Sequence, residues 1–353
     1  MEKQSIVSDR VYLDHAATTP VLPAARAAMA EALARWANPS SPHAEGRAAR
    51  AALEGARARI KAALGWSHDL VFTSGASEAA ALALNGVKLS GRAVSSVEHD
   101  SIQRAAPDAM SFGVDSGGKV DLERLPDQSL VAIQTVNSET GVIQSLDTVA
   151  AAIRNRHGLW LADASQSAAK LPLPDADLVI VSAHKLGGPP GIGALLVKDL
   201  SVLTPKGNQE KGYRGGTENL PAVLGLAAAL ETRAPRDHLA DLRHRLDIAV
   251  RAIGGSVVAD HSPRLPEIAS YRLPGLAAAA QLIALDMDGI AVSAGSACSS
   301  GTLKPSAVLT AMGWTEAEAR EVIRVSFAPE TTTAEVDRFL HVWASLAERR
   351  RAA

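Results

Sequence analysis

One cysteine, Cys298, is all that 353 residues provide. A lone thiol excludes an internal disulfide and any zinc or iron–sulfur site built from several cysteines, so no metal site is expected. It also fits a reducing compartment. Aromatic residues are scarce, at 3%, and the 36 basic residues are balanced by 38 acidic ones, for a formal net charge of −2. A nucleic-acid binder would carry a basic excess and rings on which bases stack, so no nucleic-acid partner is expected. Long apolar runs are missing too. The opening MEKQSIVSDRVYLDHAATTP has no apolar core of signal-peptide length, and no uninterrupted apolar segment reaches membrane-spanning length. The expectation is a cytoplasmic protein with no membrane partner. The closing Glu348–Arg351 run, ERRR, reads as the solvated end of a helix, where basic side chains suit the macrodipole.

What is present is a globular composition, 47% hydrophobic and 21% charged, in a chain long enough for two domains. Alanine-rich segments such as PAARAAMAEALARW and GRAARAALEGARARIKAALG predict helices by propensity. Between such segments lie β-rich runs: DLVFTS (69–74), RAVSSV (92–97), SLVAIQTV (129–136), GLWLAD (158–163), ADLVIVS (176–182) and GIGALLV (191–197). Their alternation with helices predicts an α/β fold around a largely parallel sheet covered on both faces. After about residue 235 the pattern changes. A helix near HLADLRHRLDIAVRAIGG leads into a region of short strands over 256–300. A last helix follows, with Val336, Phe339, Leu340, Trp343 and Ala347 on one face and Thr332 with Glu335 as a capping box. The predicted division is a large domain over 16–235 and a smaller α+β domain formed by 1–15 and 236–353.

Ligands of open α/β sheets bind beyond the carboxyl ends of the strands. Behind DLVFT comes SGASEAAALAL, a turn into a helix whose start, near Ser77, offers free N–H groups to a phosphate. Behind SSV stands His99, and the run LWLAD ends on Asp163. Behind DLVIVS stand His184 and Lys185, then the turn-forming LGGPPGIG. A lysine between a buried strand and a Gly/Pro-rich turn cannot easily extend to water. Burial therefore favours its neutral amine, the form that Schiff-base chemistry uses. Asp163 and Lys185 are 22 positions apart (185 − 163), room for one crossover. A carboxylate and a lysine facing a phosphate-binding helix start match the needs of pyridoxal phosphate.

Taken in order, YLDHAATTP (12–20), NPSSPH (38–43), TSGASEA (73–79), VEHDSI (97–102), NSETGVIQ (137–144), DASQS (163–167), SAHKLGGPPGIGAL (182–195), RGGTEN (214–219), GSACSSG (295–301), PSAVLTAMG (305–313) and IRVSF (323–327) resemble the cysteine desulfurases, in particular the subgroup serving nitrogen fixation and iron–sulfur assembly. The resemblance implies an aspartate-aminotransferase-like fold with a mainly parallel seven-stranded sheet. It also implies a homodimer, pyridoxal 5'-phosphate as cofactor, L-cysteine as substrate and a protein that accepts the sulfur. By that resemblance Lys185 carries the cofactor and His99 stacks on its ring and assists proton transfer. Asp163 pairs with the pyridine nitrogen and Gln166 bonds the ring hydroxyl. Ala76, Ser77, Ser182 and His184 hold the phosphate, with Thr217 from the partner subunit. Asn38 and Arg324 bind the substrate. Cys298 attacks the substrate sulfur and keeps it as a persulfide, releasing L-alanine. Ser138 stands where many relatives have asparagine in contact with cofactor or substrate. The polar, glycine-rich loop at about 293–303 gives Cys298 a reach on the order of 15 Å. A selenocysteine lyase, or an aminotransferase or epimerase on the same cofactor, is the rival reading, and the tethered thiol separates it from the last two.

Overall fold

The computed structural model describes residues 10–35, 37–232, 234–295 and 305–352. Cys298 and most of its expected loop lie outside the described residues. The described part opens on a two-residue strand, β1 (Val11–Tyr12). The seven-stranded sheet follows, built from β2 (Asp69–Thr73), β3 (Gly91–Ser95), β4 (Met110–Phe112), β5 (Ser129–Ala132), β6 (Leu159–Asp163), β7 (Leu178–Ser182) and β8 (Gly193–Val197). Its order is β2-β8-β7-β6-β5-β3-β4. The four pairs from β7 to β4 are parallel, while β8 runs antiparallel to both β7 and β2.

Alternate residues of these strands feed two separate cores. Leu70, Phe72, Val131, Trp160, Val179, Val181 and Leu196 face one side, with Leu53 and Ile60 of helix Ala44–Leu64 and Leu226 of helix Leu220–Glu231. Val71, Leu130, Leu161, Leu178, Ile180 and Leu195 face the other, with Ala79, Ala83 and Leu84 of helix Ala76–Gly86. Burial on both faces explains why the strand sequences are apolar throughout and do not alternate. β4 is the exception. It is short, at the sheet edge, and its Met110 and Ser111 are exposed, so it gives almost no apolar signal.

The remaining strands are β9 (Ser256–Val257), β10 (Ile268–Arg272), β11 (Ile290–Ala291) and β12 (Val322–Ser326). β12, β10 and β9 form an antiparallel sheet in that order, and β1 pairs in parallel with β11. A further core gathers Val11 and Leu13 with Leu239, Leu246, Tyr271, Val336, Phe339 and Trp343. The last helix, Thr333–Ala352, presents its Val336, Phe339, Trp343 and Ala347 to this core, with Leu340 packed at its margin. Its start is fixed reciprocally. Thr332 N–H donates to Glu335 Oε2 (2.7 Å), and Glu335 N–H donates to Thr332 Oγ1 (3.3 Å). Among the described residues no helix is long and apolar enough to cross a membrane.

Candidate active site

β7 lies between β6 and β8, and all five of its residues are buried. The chain leaves it through one tight turn, Ala183–Lys185. That turn is locked by its own backbone, since Leu186 N–H and Gly188 N–H both donate to Ala183 O (2.9 and 3.0 Å). Gly187 follows with φ +77°, and a Cβ there would stand 2.6 Å from Leu22 Cγ, so the turn needs glycine. Lys185 is thereby pointed into a small pocket lined by His99, Gln134, Val136, Ser138, Asp163, Ser165, Gln166 and Lys185.

Electrostatics in the pocket favour neutral bases. Burial pulls the Lys185 amine below the ordinary lysine range, opposed by the Asp163 carboxylate and aided by Arg324. Burial, then the Lys185 charge, lowers His99, although Asp163 and Asp100 pull the other way. His184 is lowered by burial, Lys185 and His99. Asp163 itself ends β6, accepting Ser165 N–H at Oδ1 (2.8 Å), with its carbonyl held by Thr135 N–H and Oγ1–H (both 3.0 Å).

Two polar atoms on the pocket wall have no partner. Gln166 Nε2 donates to Ala16 O (2.8 Å), yet its Oε1 is buried and unpaired, and so is Ser165 Oγ. A buried polar group left unsatisfied costs about 1–3 kcal/mol, so this wall is built for a polar ligand. Pyridoxal phosphate fits this set: a buried amine, a carboxylate opposite it and an unpaired acceptor on the wall.

Of the other residues expected at the site, Ser138 lines this pocket, while Ala76, Ser77, Ser182, His184 and Arg324 are not in its lining. Ala76 and Ser77 open helix Ala76–Gly86, whose first turn carries no side-chain cap. Ser182 is buried at the end of β7, and His184 is tethered through Nδ1 to Thr18 Oγ1 (3.2 Å). Arg324, on β12, donates from Nη2 to Asp14 Oδ1 (2.8 Å) and from Nη1 to Ser138 O (3.0 Å). Its Nε is buried without a partner. Ser138 thus meets Arg324 through its main chain. Asn38 does not line the pocket. It is exposed, and its Oδ1 accepts Ser40 N–H (2.9 Å) within its own turn. Thr217 is likewise outside the lining, exposed on the RGGTEN segment.

Sequence reasoning assigned no role to Asp14, Glu98, Gln134 or Lys170. Glu98 is fully buried beside the pocket, with Oε1 accepting Gln134 N–H (2.6 Å) and Oε2 unpaired. Burial and the Asp163 charge push its carboxyl well above the usual carboxylate range. Lys170 has its amine pushed down to about 8 by burial. The signal for Glu98 was its place before His99, and for Asp14 its place in YLDHAATTP; Lys170 left none. A larger open cleft lies elsewhere along Ser116, Arg251, His261 and Trp314. It shares no residue with this site, and its Arg251 is already paired with Asp260.

The sequence and the fold have counterparts. Residues 11–339 match the family model described as Aminotransferase class-V. A cysteine desulfurase of Gluconacetobacter diazotrophicus is 36% identical, across 94% of this chain and 92% of its own. The chain belongs to the cysteine desulfurase family of class-V aminotransferases. Another desulfurase, from Archaeoglobus fulgidus, is 36% identical across 96% of this chain and 97% of its own. Among solved structures, a NifS-like protein of Rickettsia africae superposes with a TM-score of 0.86 at 28% identity, covering 96% of this chain and 99% of that one. A structure of SspA in complex with cysteine superposes with a TM-score of 0.80 at 29% identity, over 91% of this chain and 100% of that one. The α/β fold with its mainly parallel seven-stranded sheet is the one these two solved structures match.

Proposed function

We propose that the protein desulfurates L-cysteine with pyridoxal phosphate, giving L-alanine and a persulfide on Cys298. The observation that carries this reading is the buried Lys185 amine, drawn toward neutrality, in one pocket with Asp163. Lys185 would hold the cofactor covalently, and Asp163 would keep a proton on its pyridine nitrogen. Gln166 and Ser165 offer the unpaired polar atoms, while Ala76, Ser77, Ser182 and His184 would take the phosphate, with Thr217 from a second copy of the chain. Bound there, pyridoxal phosphate supplies a sink for the electrons left on the substrate α-carbon.

The chain's own groups would do the rest. Arg324, held in place by Asp14 and the Ser138 carbonyl, would clamp the substrate carboxylate in a bidentate fork that includes its free Nε–H. A neutral Lys185 amine takes the α-proton, and the uncharged imidazole of His99 assists its transfer. The Cys298 thiolate attacks the substrate sulfur; the carbon–sulfur bond breaks, its electron pair goes to the carbon skeleton, and a sulfur–sulfur bond forms. Asn38 is carried over as a substrate contact, which would require its turn to move toward the pocket. We place the cofactor domain at 16–235 and the smaller domain at 1–15 and 236–353, in a cytoplasmic homodimer that passes sulfur to an acceptor protein.

The test is mass spectrometry of the holoenzyme after exposure to L-cysteine. The expected result is L-alanine and one added sulfur on the peptide containing Cys298, absent from Cys298→Ala. L-Alanine formed at the parent rate by Cys298→Ala would overturn the assignment of the nucleophile.

A further inference from the structure

The turn 137–141 ties together parts of the chain far apart in sequence. Asn137 Oδ1 accepts Glu139 N–H (3.0 Å), Thr140 N–H (2.9 Å) and Thr140 Oγ1–H (3.1 Å), while Asn137 Nδ2 donates to Val97 O (3.3 Å). This closes the turn around one amide. Ser138 then presents its carbonyl to Arg324 Nη1 (3.0 Å). The next residue, Glu139, is pinned twice more. Its carbonyl accepts Ser270 Oγ–H (2.8 Å), and Ser270 is the β10 residue paired with Arg324 on β12. Its carboxyl accepts Ser306 Oγ–H at Oε2 (2.5 Å). Ser306 in turn accepts Leu309 N–H (3.1 Å) and so starts helix Ala307–Ala311.

Arginine carries a long, flexible arm, and a bidentate grip on a carboxylate requires its plane to be set beforehand. Two acceptors set the Arg324 plane, Asp14 and the Ser138 carbonyl. A main-chain carbonyl is only as fixed as the turn that holds it. We propose that Glu139 is a positioning residue for the substrate-carboxylate clamp, holding the Ser138 carbonyl against Arg324 by anchoring the turn to Ser270 and Ser306. This rests on the reading of Arg324 as the group that meets the substrate carboxylate. The Glu139 carboxyl is raised by burial, against the Ser306 bond and the Arg324 charge. A neutral amide in its place keeps an acceptor for Ser306.

The experiment compares holoenzymes carrying Glu139→Gln, Glu139→Ala and Ser306→Ala. Turnover of L-cysteine gives KM and kcat. Cofactor absorption is titrated with L-alanine and with cysteamine, which keeps the amine and thiol but lacks the carboxylate. Losing the aim of one charge-assisted contact corresponds to about a tenfold change. Glu139→Ala is expected to raise KM about tenfold and weaken L-alanine equally, with kcat and cysteamine within about twofold. Glu139→Gln restores both values to near the parent, and Ser306→Ala added to Glu139→Ala brings no further loss. An unchanged KM in Glu139→Ala overturns the inference, as does equal weakening of cysteamine or a loss confined to kcat. Should Glu139→Ala not fold, Ser306→Ala carries the same comparison. Arg324→Ala separates the two levels. If it leaves the preference for L-alanine over cysteamine intact, the clamp reading itself fails; if it abolishes that preference while Glu139→Ala is silent, only the role of Glu139 falls.

Discussion

Lys185 lies three residues beyond the end of β7, and Asp163 is the last residue of the neighbouring parallel strand β6. The pairing register sets Asp163 opposite Ile180, so the two chains run out of the sheet on the same side. A carboxylate and an amine therefore share one pocket without forming a direct ion pair. The amine is lowered by burial more than the carboxylate raises it. A direct salt bridge would have held the lysine charged and unreactive.

Replacing Lys185 by alanine removes both the covalent anchor and the proton acceptor. The expected outcome is loss of the visible band of the lysine-bound cofactor and a fall in alanine formation of about 10²–10⁴-fold, the range for a lost general base. Absorption spectra with and without added pyridoxal phosphate, together with an alanine assay, check it. A variant that keeps the band would show that another amine holds the cofactor.

The segment leading to RGGTEN depends on a buried ion pair. Glu210 receives Arg57 in a two-pronged grip (2.7 and 2.8 Å) and also accepts Phe72 N–H (2.8 Å). Glu210 and Lys211 both sit at positive φ, 48° and 59°, so this bend is held by its contacts. Glu210→Ala leaves Arg57, buried beside the Phe72 ring, with Glu54 as its remaining carboxylate, and is expected to cost about 2–3 kcal/mol. Denaturant unfolding monitored by tryptophan fluorescence measures it. A loss below about 1 kcal/mol would mean that Glu54, already paired with Arg57 at 2.9 Å, compensates the charge by itself.

Which of these features could be read from the chain follows from how local each one is. Five strands of the large sheet are largely apolar because both faces are covered, and they stand out in the sequence, with β3 (GRAVS) weaker. β4 does not, because it offers one buried residue, Phe112. The direction of β8 was legible and overlooked: residues 183–192 are too few for the crossover that a parallel neighbour requires. At the site, Asp163, Lys185 and His99 are legible because each marks the end of a strand run. The pairing of Asp14 with Arg324 is not, since 310 positions separate them and a parallel main-chain bridge between Asp14 and Ser326 of β12 brings them together. The contact of the Ser138 carbonyl with Arg324 is equally silent in the sequence, being main-chain.

Gly141 tests how tightly the turn behind Arg324 is fitted. Its φ is +77°, and a Cβ would stand 2.2 Å from Ile268 O, a main-chain atom that cannot swing aside. Gly141→Ala is expected to lose about 1–3 kcal/mol from backbone strain alone, with the clash added to it. Thermal unfolding measures the loss. If the variant is as stable as the parent, the turn relaxes more freely than its contacts imply.

His15 gives the clearest dependence on pH. Its ring edge packs against Tyr12 at 4.8 Å, and its Nδ1 is buried without a partner. Burial pushes the imidazole from 6.5 down to about 4, opposed by a Tyr12 backbone bond and aided by the Lys170 charge. The folded state therefore resists protonation at a pH where the unfolded chain accepts it. Between about 6.5 and 4 the unfolded chain holds more protons, so stability falls as pH drops through that window and is unaffected by this group above it. The contribution is on the order of 3 kcal/mol at the acid end. Thermal midpoints of the parent and His15→Leu, measured from pH 8 to about 4, isolate this group from the carboxylates that titrate nearby. The parent is expected to lose stability more steeply than the variant below pH 6.5, and parallel profiles would place the His15 ring in contact with water.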